Sequence, residues 1–175
     1  MSNKEKTLYK LVLSFFKLEV RKGHLRWSVT DLAKTSGVSR SLVYRYLGNT
    51  KNAMVLSCIR CFTHEFYGFS ITDIKEFEAR FSANVVAARE RLVEYHDAII
   101  FYQKWRSRKS WIRDEFVEIE TQFQARLKVL FPNFNDKQII LVHAVLHGLV
   151  TAPFIDPQQA RITVAELSSA FRKTE

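Results

Sequence analysis

The sequence predicts an all-helical chain, and three observations carry the prediction. Apolar residues recur at helical spacing, as at Leu8, Leu11, Val12, Phe15, Phe16 and Leu18 near the N-terminus and Phe116, Ile119, Phe123, Leu127 and Leu130 further on. Only 5 glycines and 3 prolines are spread over 175 residues, so few positions break a helix. No stretch carries the alternating pattern of a strand, and no internal repeat stands out. With 47% hydrophobic residues, 14 of them Phe, the chain can bury a core as one domain or as a small domain joined to a medium one.

Taken in order, residues 4–22 form an amphipathic helix whose basic residues, Lys4, Lys6, Lys10, Lys17 and Arg21, lie mostly off the apolar stripe, and Gly23 ends it. Ser28 or Thr30 caps a short second helix, and Asp31 sits in its first turn, where a carboxylate meets the positive end of the helix. Gly37 allows a left-handed turn. Ser39 caps a third helix from Arg40 to Leu47. After the Gly48-Asn49 stop, Asn49 or Thr50 caps a helix running to about Tyr67. Longer segments follow at Ile71–Arg91, where a break near Ser82 is compatible with the pattern, and at Tyr95–Arg106. Trp111–Phe131 comes next and is ended by Pro132. Asn135 or Asp136 opens the Gln138–Thr151 helix, Pro153 and Pro157 bracket a loop, and Gln158–Lys173 is the last helix.

Several function classes are disfavoured. Gln138–Ile155 has no Lys, Arg, Asp or Glu, yet it is short for a membrane span and includes His143, His147, Thr151 and Pro153. It reads as a buried or interface helix, so no membrane partner is expected. The N-terminus lacks the pattern of a secretion signal, and two cysteines suit a reducing cytosol, so a cytoplasmic location is expected. Cys58-x-x-Cys61-x-x-His64 falls short of the four ligands of a structural zinc site and reads as ordinary core cysteine, so no metal is assigned. His143 and His147 lie one turn apart, but no Glu stands between them as in a zinc hydrolase. No P-loop, dinucleotide fingerprint or nucleophile elbow is present, so neither a cofactor nor an enzyme is expected.

Charge points elsewhere. Residues 1–52 hold eleven Lys/Arg against Glu5, Glu19 and Asp31, and the remainder is nearly neutral, although the whole chain carries +9. Such an asymmetry is the electrostatic footprint of a nucleic-acid-binding segment. Within that segment Ala33, Gly37 and Val43 stand four and six residues apart. A small residue permits a close helix crossing, a glycine permits the turn, and an apolar residue locks the second helix onto the first. This is the spacing of a helix-turn-helix, whose second helix enters the DNA major groove.

The segment 28–54 resembles the DNA-binding domain of the TetR family of bacterial transcriptional regulators. The likeness rests on Thr30, Leu32-Ala33, Ser36-Gly37-Val38-Ser39, Val43-Tyr44-Arg45-Tyr46 and Lys51. It implies that Ser39, Arg40, Ser41 and Leu42 face base edges. Tyr44, Arg45 and Tyr46 would lie on or near the phosphate backbone, and Thr30 and Lys51 would contact phosphates from helix starts. Leu42 stands where the family favours a smaller residue, so it either touches a thymine methyl or tucks partly into the domain. The expected division is a helix-turn-helix domain over 1–52 and a helical effector-binding and dimerisation domain over 53–175.

In that second part, Ala144, Gly148 and Ala152 form a row of small residues, and Val164, Leu167 and Phe171 form an apolar stripe. We expect both to pair with a second copy of the chain, as the last helices do in the family. An aromatic-rich effector pocket is expected around Phe62, Phe66, Phe81, Tyr102, Trp105, Phe116, Phe123, His143 and His147. The basic turn Lys104–Lys109 either meets an anionic partner or is a solvated helix–helix turn. Together these expectations describe a homodimeric repressor that binds double-stranded DNA at a pseudo-palindromic operator and is released by a small-molecule effector. The alternative is a helical DNA-binding protein with an architectural or protein-recruiting role and no effector.

Overall fold

A computed structural model describes residues 2–67, 74–91 and 94–151, and in the C-terminal stretch Asp156, Gln158, Gln159, Ile162, Thr163, Ala165 and Glu166; the side chains at 65–67, 74, 75, 77–79, 81 and 82 are not among those described. The described residues form eight helices and no strand: α1 (Asn3–Lys22), α2 (Val29–Ser36), α3 (Arg40–Leu47), α4 (Lys51–Tyr67), α5 (Ile74–Arg91), α6 (His96–Arg106), α7 (Trp111–Leu130) and α8 (Asp136–Thr151). None is long and apolar enough to cross a membrane.

Local chemistry sets most of these boundaries. Ser2 and Glu5 close a capping box on α1, and Gly23 ends it at φ 91°. Of the two caps open for α2, Ser28 is the one used: it and Asp31 exchange hydrogen bonds through a second capping box. Gly37 follows in the left-handed region at φ 67°, ψ 23°, and Val38 N–H closes back on the Ala33 carbonyl at 3.1 Å. Thr50 caps α4 by accepting from Ala53 N–H at 3.1 Å, and Asn135 caps α8 by a reciprocal pair with Gln138. One cap differs from the sequence expectation. Ser39 stands at the N-cap of α3, but its hydroxyl makes no cap hydrogen bond and pairs with the Ser41 hydroxyl at 3.0 Å. In addition, α5 runs unbroken through Ser82.

The chain divides into two compact units. The first comprises residues 1–64 and 94–116. Its core is Leu11, Val12, Phe15, Phe16, Trp27, Leu32, Val43, Leu47, Met54 and Ile59, with Phe101, Ile112 and Phe116 from later in the chain, all almost fully buried. Rings pack edge to face through it: Phe15 on Trp27 at 5.7 Å, Phe16 on Phe62 at 5.5 Å and Phe16 on Phe101 at 5.3 Å. Each such pair contributes about 0.5–1.5 kcal/mol beyond its buried area. These rings explain why the compact unit extends past residue 52. Phe62 and Phe101 pack on α1, so the end of α4 and all of α6 join the first three helices.

The second unit comprises residues 65–93 and 117–175. Among its described residues α5 packs on α8, over a core of Val85, Val86, Phe123, Leu127, Ile139, Val142, Leu146, Leu149 and Val150. The Gln138–Ile155 stretch thus supplies core residues as far as Val150, and 152–155 lie outside the described residues.

Candidate nucleic-acid interface

Helix α3 has two sides. Val43 and Leu47, one turn apart, are buried and hold it against the first unit's core. Arg40, Ser41 and Arg45 are exposed, and Leu42, Tyr44 and Tyr46 are half-buried between them. Ser39 and Thr30, at the starts of α3 and α2, are exposed, as is Lys51 at the start of α4. The nine residues expected at a DNA surface therefore all keep solvent access within one compact unit. Arg40 and Arg45 have no carboxylate within 4 Å among the described residues, so both guanidinium groups are available to an external acceptor. By sequence the first unit holds 17 Lys/Arg against 7 Asp/Glu, a net +10, whereas the second unit is at −1.

The loop before α2 is held by a carboxylate that sequence reading counted only as an acid. Glu19 is 2% exposed. Its Oε1 accepts from Trp27 Nε1 at 2.6 Å and from Leu25 N–H at 3.2 Å, and its Oε2 accepts from His24 Nδ1 at 3.0 Å. Three donors on one buried carboxylate fix residues 24–27 in place. Leu25 adopts φ 57°, a left-handed conformation that costs a non-glycine residue about 1–2 kcal/mol. Its amide is held by Glu19, and its carbonyl accepts from Lys51 Nζ at 2.8 Å. Lys51 also lies 5.7 Å from the Trp27 ring centroid. A signal for Glu19 was present: an acid four residues after Phe15 and three after Phe16 falls on the apolar stripe of α1, where a carboxylate persists only with partners.

The other end of the loop is pinned by charge. Lys22, in the last turn of α1, pairs with Asp31 at 2.8 Å. That hydrogen bond, with the Ser28 amide and hydroxyl, holds the Asp31 carboxyl at about 2 against an ordinary 3.8.

No family model, curated protein or solved structure matches this chain.

The residues expected around an effector separate between the units. Phe62 and Phe116 are buried in the first unit. Tyr102 packs edge-on to Phe116 at 4.9 Å, and Trp105 edge-on to His24 at 4.6 Å, also in the first. Phe123, His143 and His147 belong to the second unit, where His143 lies 5.3 Å from the Phe123 ring and its Nδ1 is 3.0 Å from Gln124 Nε2. Burial pushes the His147 imidazole below its ordinary value, opposed by the nearby Glu120 carboxylate. The side chains of Phe66 and Phe81 lie outside the described residues.

Of the expected pairing surface, Ala144 is exposed and Gly148 partly so; Ala152, Val164, Leu167 and Phe171 lie outside the described residues. Beside Ala144, Ile140 is 55% exposed and Leu141 64%, which leaves an apolar strip on the open side of α8. Cys58 is fully buried and its thiol is pushed well up, first by desolvation and then by Cys61 and Glu19, so it resists forming a thiolate. Among the described residues no group of three or more His, Cys, Asp and Glu could hold a metal ion.

Proposed function

We propose that the chain is a TetR-like, sequence-specific regulator of transcription that binds double-stranded DNA through α3. The observation that carries this reading is the outer side of α3. It presents Arg40, Ser41 and Arg45 without carboxylate partners, on the unit that holds all of the net positive charge. Arg40 suits the O6 and N7 acceptors of guanine, and Leu42 suits a thymine methyl. Thr30, Tyr44, Tyr46 and Lys51 suit phosphate oxygens, which fix register without reading sequence. Lys51 can serve while keeping its bond to Leu25, because an ammonium has three protons and that carbonyl takes one.

The reading includes a homodimer. Two copies would place two α3 helices about 34–36 Å apart, in successive major grooves of a pseudo-palindromic operator. The apolar strip of Ile140, Leu141 and Ala144 supports self-association, because exposed apolar strips of this kind mark contact surfaces. It also includes repression relieved by an effector in the second unit, where Glu120 and His143 place polar groups in an apolar interior. Such an effector acts only through different affinities for two states of the protein. No catalytic step is part of this function. One observation favours the alternative, an architectural or recruiting DNA-binding protein without an effector: Phe62 and Phe116 are consumed by the first unit's core.

Selection of bound sequences from random duplex DNA at moderate salt tests the proposal. A pseudo-palindromic consensus is expected. Sequence-indifferent, salt-sensitive binding overturns it in favour of the architectural reading, and no binding overturns both.

A further inference from the structure

The basic turn between α6 and α7 belongs to the same compact unit as α3. Lys104, Arg108 and Lys109 are exposed and have no carboxylate partner within 4 Å among the described residues. The turn is firmly built. Arg108 N–H donates to the Trp105 carbonyl at 3.1 Å, and the Ser110 hydroxyl accepts from Arg113 N–H at 3.3 Å, capping α7. Lys104 and Arg108 flank the Trp105 ring, at 5.9 Å and 5.8 Å from its centroid.

Two features separate this turn from an ordinary solvated one. The first is where its cations sit. Lys104 lies in the last turn of α6, where a cation is favoured, but Arg108 and Lys109 immediately precede the N-terminus of α7, where the helix end is itself positive. Asp114 in the first turn of α7 offsets the helix end itself, but Arg108 and Lys109 have no such counter-charge within 4 Å among the described residues, and an external anion can supply it. The second is what the turn touches. Trp105 lies against His24, and the next residue, Leu25, carries Lys51 on its carbonyl. The basic turn is therefore joined through one short loop to the lysine at the start of α4.

We infer that Lys104, Arg108 and Lys109 form a second phosphate-binding surface, which lengthens the DNA footprint of each protomer beyond the contacts of α2, α3 and the start of α4. The inference rests on the DNA-binding reading above. The partner is the sugar–phosphate backbone, contacted without base readout, because the cations are exposed point and fork charges on a turn beside an indole and not a helix that can enter a groove.

The test uses the full-length chain on its selected operator, with long and trimmed flanks, and measures affinity against salt. Three proteins are compared: the unmodified protein, the combined variant Lys104→Ala, Arg108→Ala and Lys109→Ala, and Arg108→Glu alone. The combined variant is expected to keep the consensus and to lose about 0.9 in the log–log salt slope for each phosphate contact removed. Trimming the flanks is expected to weaken the unmodified protein but not the variant. Arg108→Glu is expected to weaken binding by itself. An unchanged slope and flank dependence overturn this inference and leave the DNA-binding reading standing. A changed consensus overturns it too, because the turn then reads bases. If the unmodified protein binds duplex without preference, the slope comparison is made on random duplex. If it binds no duplex, both the inference and the reading beneath it fall.

Discussion

Single residues divide between those that meet a ligand and those that hold the ligand-facing ones still. In the proposed function Arg40 is of the first kind. Arg40→Ala is expected to cost about 1–3 kcal/mol on the operator and to relax preference at one base pair, as read by repeated sequence selection. Equal weakening on all sequences would place Arg40 on a phosphate instead. Glu19 is of the second kind. Glu19→Gln keeps the shape but turns an amide NH2 toward one of the donors it now serves, at Trp27, Leu25 or His24. A loss of about 1–3 kcal/mol in unfolding free energy by denaturant titration is expected. His147 links stability to pH. Because folding lowers its pKa below the ordinary 6.5, its contribution is complete above about pH 6.5 and is lost as pH falls through the folded value. The thermal midpoint should therefore fall on acidification through that range, and His147→Gln should flatten that part of the profile. An unchanged profile in the variant would assign the dependence to another group.

At the scale of elements, the two short helices α2 and α3 are built differently, although both follow a serine. Ser28 closes a capping box, and Ser39 spends its hydroxyl on Ser41. Ser28→Ala is expected to cost about 1 kcal/mol, as for a working N-cap, and Ser39→Ala clearly less. The comparison by thermal denaturation is direct, and equal costs would mean that Ser39 caps α3 in solution. A weak cap on α3 leaves amides at its N-terminus available to a phosphate, which suits the helix that carries Arg40. The cap of α2, narrowed to Ser28 or Thr30, that of α8, narrowed to Asn135 or Asp136, and the glycine stops were legible in the sequence, because capping is a contact between residues three or four apart. The arrangement of Glu19, Leu25 and Lys51 was not, because it joins residues up to 26 apart along the chain.

For the whole molecule, the open side of α8 makes a prediction about assembly. Replacing Ile140 and Leu141 together by Asp should leave the fold intact, since both are exposed, and convert a dimer to a monomer by light scattering at micromolar concentration. A monomeric mass for the unmodified protein would remove the dimer from the proposed function, and a dimeric variant would place the contact elsewhere. The distribution of charge belongs to the same scale. The first unit carries +10 and the second −1, so duplex DNA should be drawn to the first unit from a distance of about a Debye length, roughly 8–10 Å at physiological salt.

The sequence by itself determined the helical class, most helix boundaries among the described residues, the left-handed glycine at position 37 and the inward side of α3 at Val43. These follow from apolar spacing and from capping chemistry, both of which act over one or two turns of chain. The expected last helix, 158–173, lies largely outside the described residues. Only the tertiary structure decided where the compact unit ends. That depended on Phe62 and Phe101 finding Phe16, contacts between residues 46 and 85 positions apart that no local pattern records. It also decided that Glu19 is a buried acceptor, and that the basic turn after α6 meets the loop before α2. Side-chain packing across distant segments sets these features, and it exists only once the helices have been brought together.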